Sequence, residues 1–413
     1  MRMKRPAFWI AGFAVLAWFS SSVSASDREA WIGTWGSSPT GLSTVTKIGA
    51  YTIPPPTTVK GTIRYRLRIS QGGRQIRLRL SNEYGEAPLT VAAVSVGLAG
   101  EGVDALPGSL KRATFGGRAA IVIPQGAPVL TDFVDLPVKP LSDLVVSVYI
   151  PEGVSISAWS AEGLPPDPAV VEGSDATLLE RLSKSKRLPI RPMVSAVDVL
   201  ADRPVKVVVT LGDSITDGGV DPTTGDRGWP GALSRRLEGN LISVVNAGIG
   251  GNRLVQSMSF LGSAALSRLD QDVFSVPGLS HIVVLEGIND IGMSGQGGMF
   301  GDAPLVKPED LIAAYSQIVS RARERGVKVI GATILPFEGA FYYSEEKENV
   351  RRTVNEWIRT SKVFDGVVDF DAILRNPAHP GKLKTEYDPG DHLHPNPAGY
   401  RKMGEVIDLR LFD

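Results

Sequence analysis

The stretch VVVTLGDSITDGG, residues 207–219, runs from β-branched residues into a Gly/Asp turn that carries a serine. A buried strand that ends on Asp213-Ser214 has two readings. Ser and Asp both cap helices well, so the pair can simply start the next helix. Alternatively, Ser214 is a nucleophile at the carboxyl end of a parallel strand, where open α/β sheets bind ligands. Partners elsewhere in the chain decide between them.

From Val205 onward the sequence alternates strand and helix. VKVVVTLG, LISVVNAG, HIVVLEG, VKVIGATIL and GVVDF read as short apolar strands. Between them lie amphipathic helices. In 308–326, Leu311, Tyr315, Ile318, Val319 and Ala322 share a face, and in 345–360 so do Val350, Val354, Trp357 and Ile358. This grammar predicts an α/β domain over 205–413 with a short parallel sheet covered on both faces. Ser214 then sits where such sheets do their chemistry.

The first half has period two. Ile63, Tyr65, Leu67 and Ile69 alternate with Arg64, Arg66 and Arg68, and after QGGR the pattern resumes through Ile76, Leu78 and Leu80. These residues predict a hairpin with one buried face and an Arg-rich solvent face. Further short runs between Gly/Pro turns make 26–160 an all-β sandwich domain. Residues 161–204, rich in Pro, Ser and basic residues, read as a linker or irregular segment.

The chain has 413 residues, long enough for two cores. Lys+Arg and Asp+Glu both count 44, so no charge excess favours nucleic acid. At the N-terminus, Arg2, Lys4 and Arg5 precede the apolar run 7–19 and the small residues SSSVSAS. That run is shorter than the ~20 residues of a membrane span. A signal peptide over 1–25, cleaved after Ala25, is expected in preference to a retained anchor. The mature protein is then exported, periplasmic or secreted, with no stable membrane insertion. With no cysteine in the chain, disulfides, thiolate ligands and a cysteine nucleophile are excluded.

A serine hydroxyl needs a base. Of the four histidines, His281 opens an apolar strand and His379 lies in a Pro-rich loop. The cluster GDHLHPNPAGY, 390–400, places Asp391 three residues before His394, with His392 secondary. Such a carboxylate can fix the tautomer of His394 and leave its other nitrogen free as a base. The plain alternative makes Asp391 the cap of the last helix. An oxyanion also needs donors. NAGIGGN offers the backbone of Gly250 and Gly251, and EGIND offers the Asn289 amide, although each also reads as ordinary turn chemistry. The coincidence of all four features at strand ends is what carries information.

In these blocks the sequence resembles the SGNH (GDSL) hydrolases: GDSITDGG, NAGIGGN, GIND and DHLHP stand in that family's order across 212–395. The resemblance implies a three-layer α/β/α, flavodoxin-like domain. It also implies a catalytic set of Ser214, Asp391 and His394. The oxyanion hole would be formed by the Ser214 N–H, the Gly251 N–H and the Asn289 side chain, with Gly250 the competing donor. WIGTWGSSP and LSNEYGEAPL resemble the β-sandwich region that precedes this hydrolase in exported bacterial members. Those members imply a carboxylic ester hydrolase working through an acyl-enzyme on short-chain esters, among them acetylated carbohydrates. No cofactor or metal is implied. The expected partner is a small-molecule or polysaccharide ester, and nothing in the chain fixes an oligomeric state.

Substrate contacts are sought in two loops. The first, 290–308, is a candidate lid with Met293, Met299 and Phe300; the second, PFEGAFYY, brings Phe337, Phe341, Tyr342 and Tyr343 near the expected rim. Rival readings are a lipase or arylesterase of lipid or small esters, a metal-dependent hydrolase using Asp391, His392 and His394, and a carbohydrate-binding protein with a silent hydrolase domain. An α/β-hydrolase is excluded because Ser214 lacks the Gly-x-Ser-x-Gly elbow. Asp213, beside the serine, receives no role from the sequence.

Overall fold

The computed structural model describes residues 29–41, 47–48, 51–52, 57–156, 158–159, 167–188, 190–258, 260–297, 300 and 304–413. The expected signal peptide and Met299 lie outside these residues.

The main strands of the first part are β1 (Ala30–Gly36), β2 (Thr57–Arg68), β3 (Ile76–Ser81), β4 (Ala93–Leu98), β5 (Asp143–Ile156), β6 (Ala169–Glu172) and β7 (Val194–Ala201). One antiparallel sheet runs β1-β7-β3 and ends on Pro128–Leu130. The other runs Lys186–Arg187, β6, β2, β5, β4 and Lys111–Ala113. Ile63, Tyr65 and Leu67 of β2 and Ile76, Leu78 and Leu80 of β3 are buried in the same core.

Three readings of this half need correction. Strands β2 and β3 do not form a hairpin, because the connection at 69–75 carries the chain from one sheet to the other. Alternation reveals which face is buried, not which strand is the neighbour. The arginines do not face solvent either. Arg64 is fully buried and donates to Ser147 Oγ and the carbonyls of Ala176, Thr177 and Glu180. Arg66 and Arg68 converge on Asp143, and Arg77 binds Asp198. The supposed linker 161–204 supplies β6 and β7, and β7 is the central partner of both β1 and β3. Its alternation in VSAVDVLA was hidden by the surrounding Pro-rich sequence.

The second part is built on β8 (Lys206–Gly212), β9 (Ile242–Gly248), β10 (Leu279–Leu285), β11 (Lys328–Ala332) and β12 (Gly366–Val368). All are parallel, in the order β9-β8-β10-β11-β12. This is the flavodoxin-like order, with β8 at the switch point. Six residues of β8 are buried, as its unbroken apolar run requires. The helices are α1 (Ser214–Asp217), α2 (Gly228–Arg236), α3 (Ile288–Met293), α4 (Pro308–Arg323), α5 (Glu345–Thr360) and α6 (Pro397–Val406). Helices α2 and α6 pack together, with α2 on β9; α4 packs on β11 and against α5. Ser344 caps α5 by accepting the Lys347 N–H, and Glu345, Glu346 and Glu348 complement its dipole. No helix among the described residues is long and apolar enough to cross a membrane.

The two parts meet along β9, the edge strand of the parallel sheet. Exposed edges recruit stray strands, and here the β-rich part covers it. Ser70 Oγ accepts the Val244 N–H at 3.1 Å and lies 2.7 Å from Ser243 Oγ, which itself donates to the Gly33 carbonyl at 2.7 Å. Arg68 and Arg79 reach across to Thr224 O and Ser275 Oγ. Replacing Ser70 with Ala removes the buried acceptor of the Val244 N–H, which typically costs about 1–3 kcal/mol. A lowered Tm for Ser70→Ala in a thermal melt is the expected outcome; an unchanged Tm would show that the edge needs no cover.

Candidate active site

Strand β8 stops at Gly212, and its register pairs Gly212 with Gly248 of β9 and with Leu285 of β10. The three following turns therefore leave the sheet side by side at its carboxyl edge. In the first, Asp213 rather than Ser214 is the helix cap: its Oδ1 accepts the Ile215 N–H at 2.8 Å. Ser214 becomes the first residue of α1. Its Oγ lies 2.8 Å from His394 Nε2, and His394 Nδ1 lies 2.7 Å from Asp391 Oδ2. An ionised carboxylate only accepts, so Nδ1 carries the hydrogen and Nε2 is left to accept from the serine hydroxyl.

Asp391 is built to stay ionised. Burial pushes its carboxyl up, but the His394 ring and the N–H groups of His394 and Leu393 hold it well below the usual carboxylate range. Both N–H groups reach Oδ1 at 3.0 Å. The helix-cap alternative for Asp391 does not hold, because Asn396 caps α6.

The second turn carries Gly251 at φ +74°, where a Cβ would lie 2.5 Å from Leu261 Cδ2, so only glycine fits. Asn289, in α3, is buried; its Nδ2 donates to Asn252 O at 3.0 Å. Tyr342 Oη donates to Asn289 Oδ1 at 3.3 Å, which fixes the amide with its nitrogen toward the Gly251 turn. Among the described residues, the N–H groups of Ser214 and Gly251 are spent on no acceptor. The assembly therefore offers a hydroxyl beside a base, and preorganised donors of the kind an oxyanion needs.

Other sequence candidates are placed elsewhere. Met293, Phe337 and Tyr342 are buried in the core rather than on an open rim, as their apolar neighbours demand. Phe300 is partly buried and Phe341 exposed. His392 binds Asp388, not Asp391, so the two histidines serve separate carboxylates. His281 lies near the amino end of β10, and burial with Lys328 and Lys206 nearby pushes its ring down to about 4.

Sequence reasoning passed over a layer of buried charge under these turns. Arg268, 2% exposed, donates to Gly212 O at 3.1 Å, Ala247 O at 2.7 Å, Asn252 Oδ1 at 3.0 Å and Ser38 Oγ at 3.2 Å, and pairs with Asp272 at 3.0 Å. Burial pushes Asp213 up to about 7, against the pull of the Ile215 N–H, His394 and Arg268. Burial pushes Asp290 up to about 6 although it accepts the N–H groups of Leu254 and Val255. Glu286 is raised furthest, by burial and by the charges of Asp213 and Asp290, and its Oε1 has no hydrogen-bond partner. A signal for Glu286 did exist: a carboxylate closing the apolar run HIVVLE has nowhere to go but inside.

With this geometry in hand, comparison with known proteins is informative about the second part. A family model described as GDSL-like lipase/acylhydrolase matches residues 210–402. Similar solved structures include a GDSL-like lipase from Bacteroides thetaiotaomicron VPI-5482, 20% identical with a TM-score of 0.37 over 50% of this chain and 87% of the other. The aryl esterase of M. smegmatis is 18% identical, TM-score 0.37, over 49% of this chain and 96% of the other. An acetyl xylan esterase is 19% identical, TM-score 0.36, over 49% of this chain and 100% of the other. No curated protein matches the sequence.

The buried carboxyls set a pH dependence of stability. Glu286 keeps in the fold a proton that the unfolded chain releases near its ordinary carboxyl range. The native state then binds more protons than the unfolded one as pH rises above roughly 4, so stability falls toward neutral pH. Asp290 and Asp213 act in the same sense up to about 6 and about 7. Glu286→Gln has no such proton to lose. Its Tm at pH 8 is expected to exceed that of the wild type, and its Tm to decline less between pH 5 and 8. A lower Tm with an unchanged slope would mean that Glu286 is ionised.

Proposed function

We propose that the chain is a carboxylic ester hydrolase, an exported serine esterase of short-chain esters with acetylated carbohydrate as the substrate class, a reading supported by the match of residues 210–402 to the GDSL-like lipase/acylhydrolase model. The observation that carries the mechanism is the hydrogen-bonded chain Ser214–His394–Asp391 at the carboxyl edge of the parallel sheet. The export half of the reading is supported by the basic, apolar and small-residue succession of residues 1–25.

In the first step, Ser214 Oγ bonds to the ester carbonyl carbon while its proton passes to His394 Nε2. Asp391 stabilises the imidazolium that forms. The carbonyl oxygen, now negative, takes the N–H groups of Ser214 and Gly251 and the second Nδ2 hydrogen of Asn289. The C–O bond to the alcohol then breaks, and His394 returns its proton to the leaving oxygen. Water, deprotonated by His394, attacks the acyl-enzyme and frees Ser214.

Hydrolysis of short- and long-chain aryl esters, acetylated xylan and pectin by wild type and variants tests this. Short acyl chains are expected to turn over fastest; preference for long chains would favour the lipase reading. Ser214→Ala and Asp391→Asn are each expected to lose roughly 10³–10⁴ or more in kcat, and Asn289→Ala about 10²–10³. Turnover by Ser214→Ala comparable to wild type would refute the mechanism.

A further inference from the structure

A second Asp–His pair stands beside the first. Asp388 Oδ2 lies 2.6 Å from His392 Nδ1, and Asp388 Oδ1 accepts the N–H groups of Gly390 at 2.8 Å and His392 at 3.1 Å. The turn is wound around that carboxylate. His392 has φ +58°, in the left-handed region that disfavours a residue with a Cβ. Its ring lies against Gly339, whose φ is +106° and where a Cβ would come within 2.8 Å of the ring. Despite this framing, the side chain is 48% exposed. The chain therefore strains its backbone and clears a glycine to hold an imidazole open to solvent.

The tautomer follows from the carboxylate. Asp388 accepts, so Nδ1 carries the hydrogen and Nε2 keeps a lone pair on a half-exposed ring. Such a lone pair recognises a hydrogen-bond donor. Two positions after Gly339 in sequence, Phe341 is 55% exposed and its ring lies 4.4 Å from that of Tyr342, tilted by 48°; the Tyr342 hydroxyl donates to Asn289. The loop under His392 thus continues directly to the oxyanion side of the site.

Position relative to the reaction sets the ligand. The leaving alcohol oxygen must come within reach of His394 Nε2 to receive its proton. His392 is two residues away in the same turn, at most about 7 Å along the chain. The residues of that turn accordingly border the leaving-group side. We infer that His392 and Phe341 form a subsite for the alcohol moiety of the ester, a sugar or other polyol, with His392 Nε2 accepting from a ring hydroxyl and Phe341 packing on its C–H face. This rests on the esterase reading above and names what binds the alcohol beyond its leaving oxygen.

The test compares two acetate esters, 4-nitrophenyl acetate, whose leaving group has no hydroxyl, and an acetylated xylo-oligosaccharide with free hydroxyls. His392→Gly removes the imidazole without adding strain at positive φ, and Phe341→Ala removes the ring. The readout is the ratio of kcat/KM for the sugar ester to that for the aryl ester, which cancels any loss of folded enzyme. Each variant is expected to lower that ratio at least tenfold, chiefly through KM for the sugar ester. A ratio within twofold of wild type, whether both activities fall or neither does, overturns the subsite alone. A wild type inert toward both esters overturns the esterase reading and the subsite with it.

Discussion

One buried guanidinium holds the catalytic edge together. Arg268 takes the carbonyl that ends β8, the carbonyl of Ala247 near the end of β9, the side chain of Asn252 in the glycine turn and a hydroxyl from the β-rich part. Gly212 O also accepts the Ile249 N–H, so the guanidinium adds a second donor there and satisfies buried acceptors at the other points. By joining them, one side chain fixes the spacing between the serine turn and the glycine turn. Asn252 then passes that constraint to Asn289 through its own carbonyl. The donors proposed for the oxyanion are therefore held in place by the fold itself, which is where electrostatic preorganisation gains its effect.

The same cation balances a site with an excess of buried acid. Asp213, Glu286 and Asp290 lie under the turns, and three ionised carboxylates there would oppose the negative oxygen formed in catalysis. Burial eases the conflict by disfavouring the charged form of Glu286, while Asp213 uses one oxygen to cap α1. That assigns the role missing from the sequence reading. Asp213 shapes the turn so that Ser214 opens a helix with its N–H free, and its charge is offset by Arg268 and His394.

How much of this was legible follows from the type of signal. The parallel strands and the helix at 345–360 were readable because apolar runs and 3.6-residue stripes are local. Ser214, His394, Asp391 and Asn289 were readable because each sits in a short block whose chemistry is local too. The partner of each β-strand was not. Alternation in 62–80 gave the buried face, yet β2 and β3 went to different sheets, and β7 returned from a segment that resembled a linker. The arginines on the other face looked solvated because their acceptors, Asp143, Asp198 and Thr224, lie 75 or more positions away in sequence in every case. Arg268 was invisible for a similar reason: its four non-ionic acceptors come from three segments, around Ser38, Gly212 and 247–252.

The account reduces to the claim that this convergence makes Ser214 a nucleophile. Its most direct measurement is labelling of the intact protein with a fluorophosphonate, followed by peptide mapping. The account predicts a single adduct on Ser214 in the wild type and none in Ser214→Ala. An unlabelled wild type, or an adduct that persists in Ser214→Ala, would contradict it.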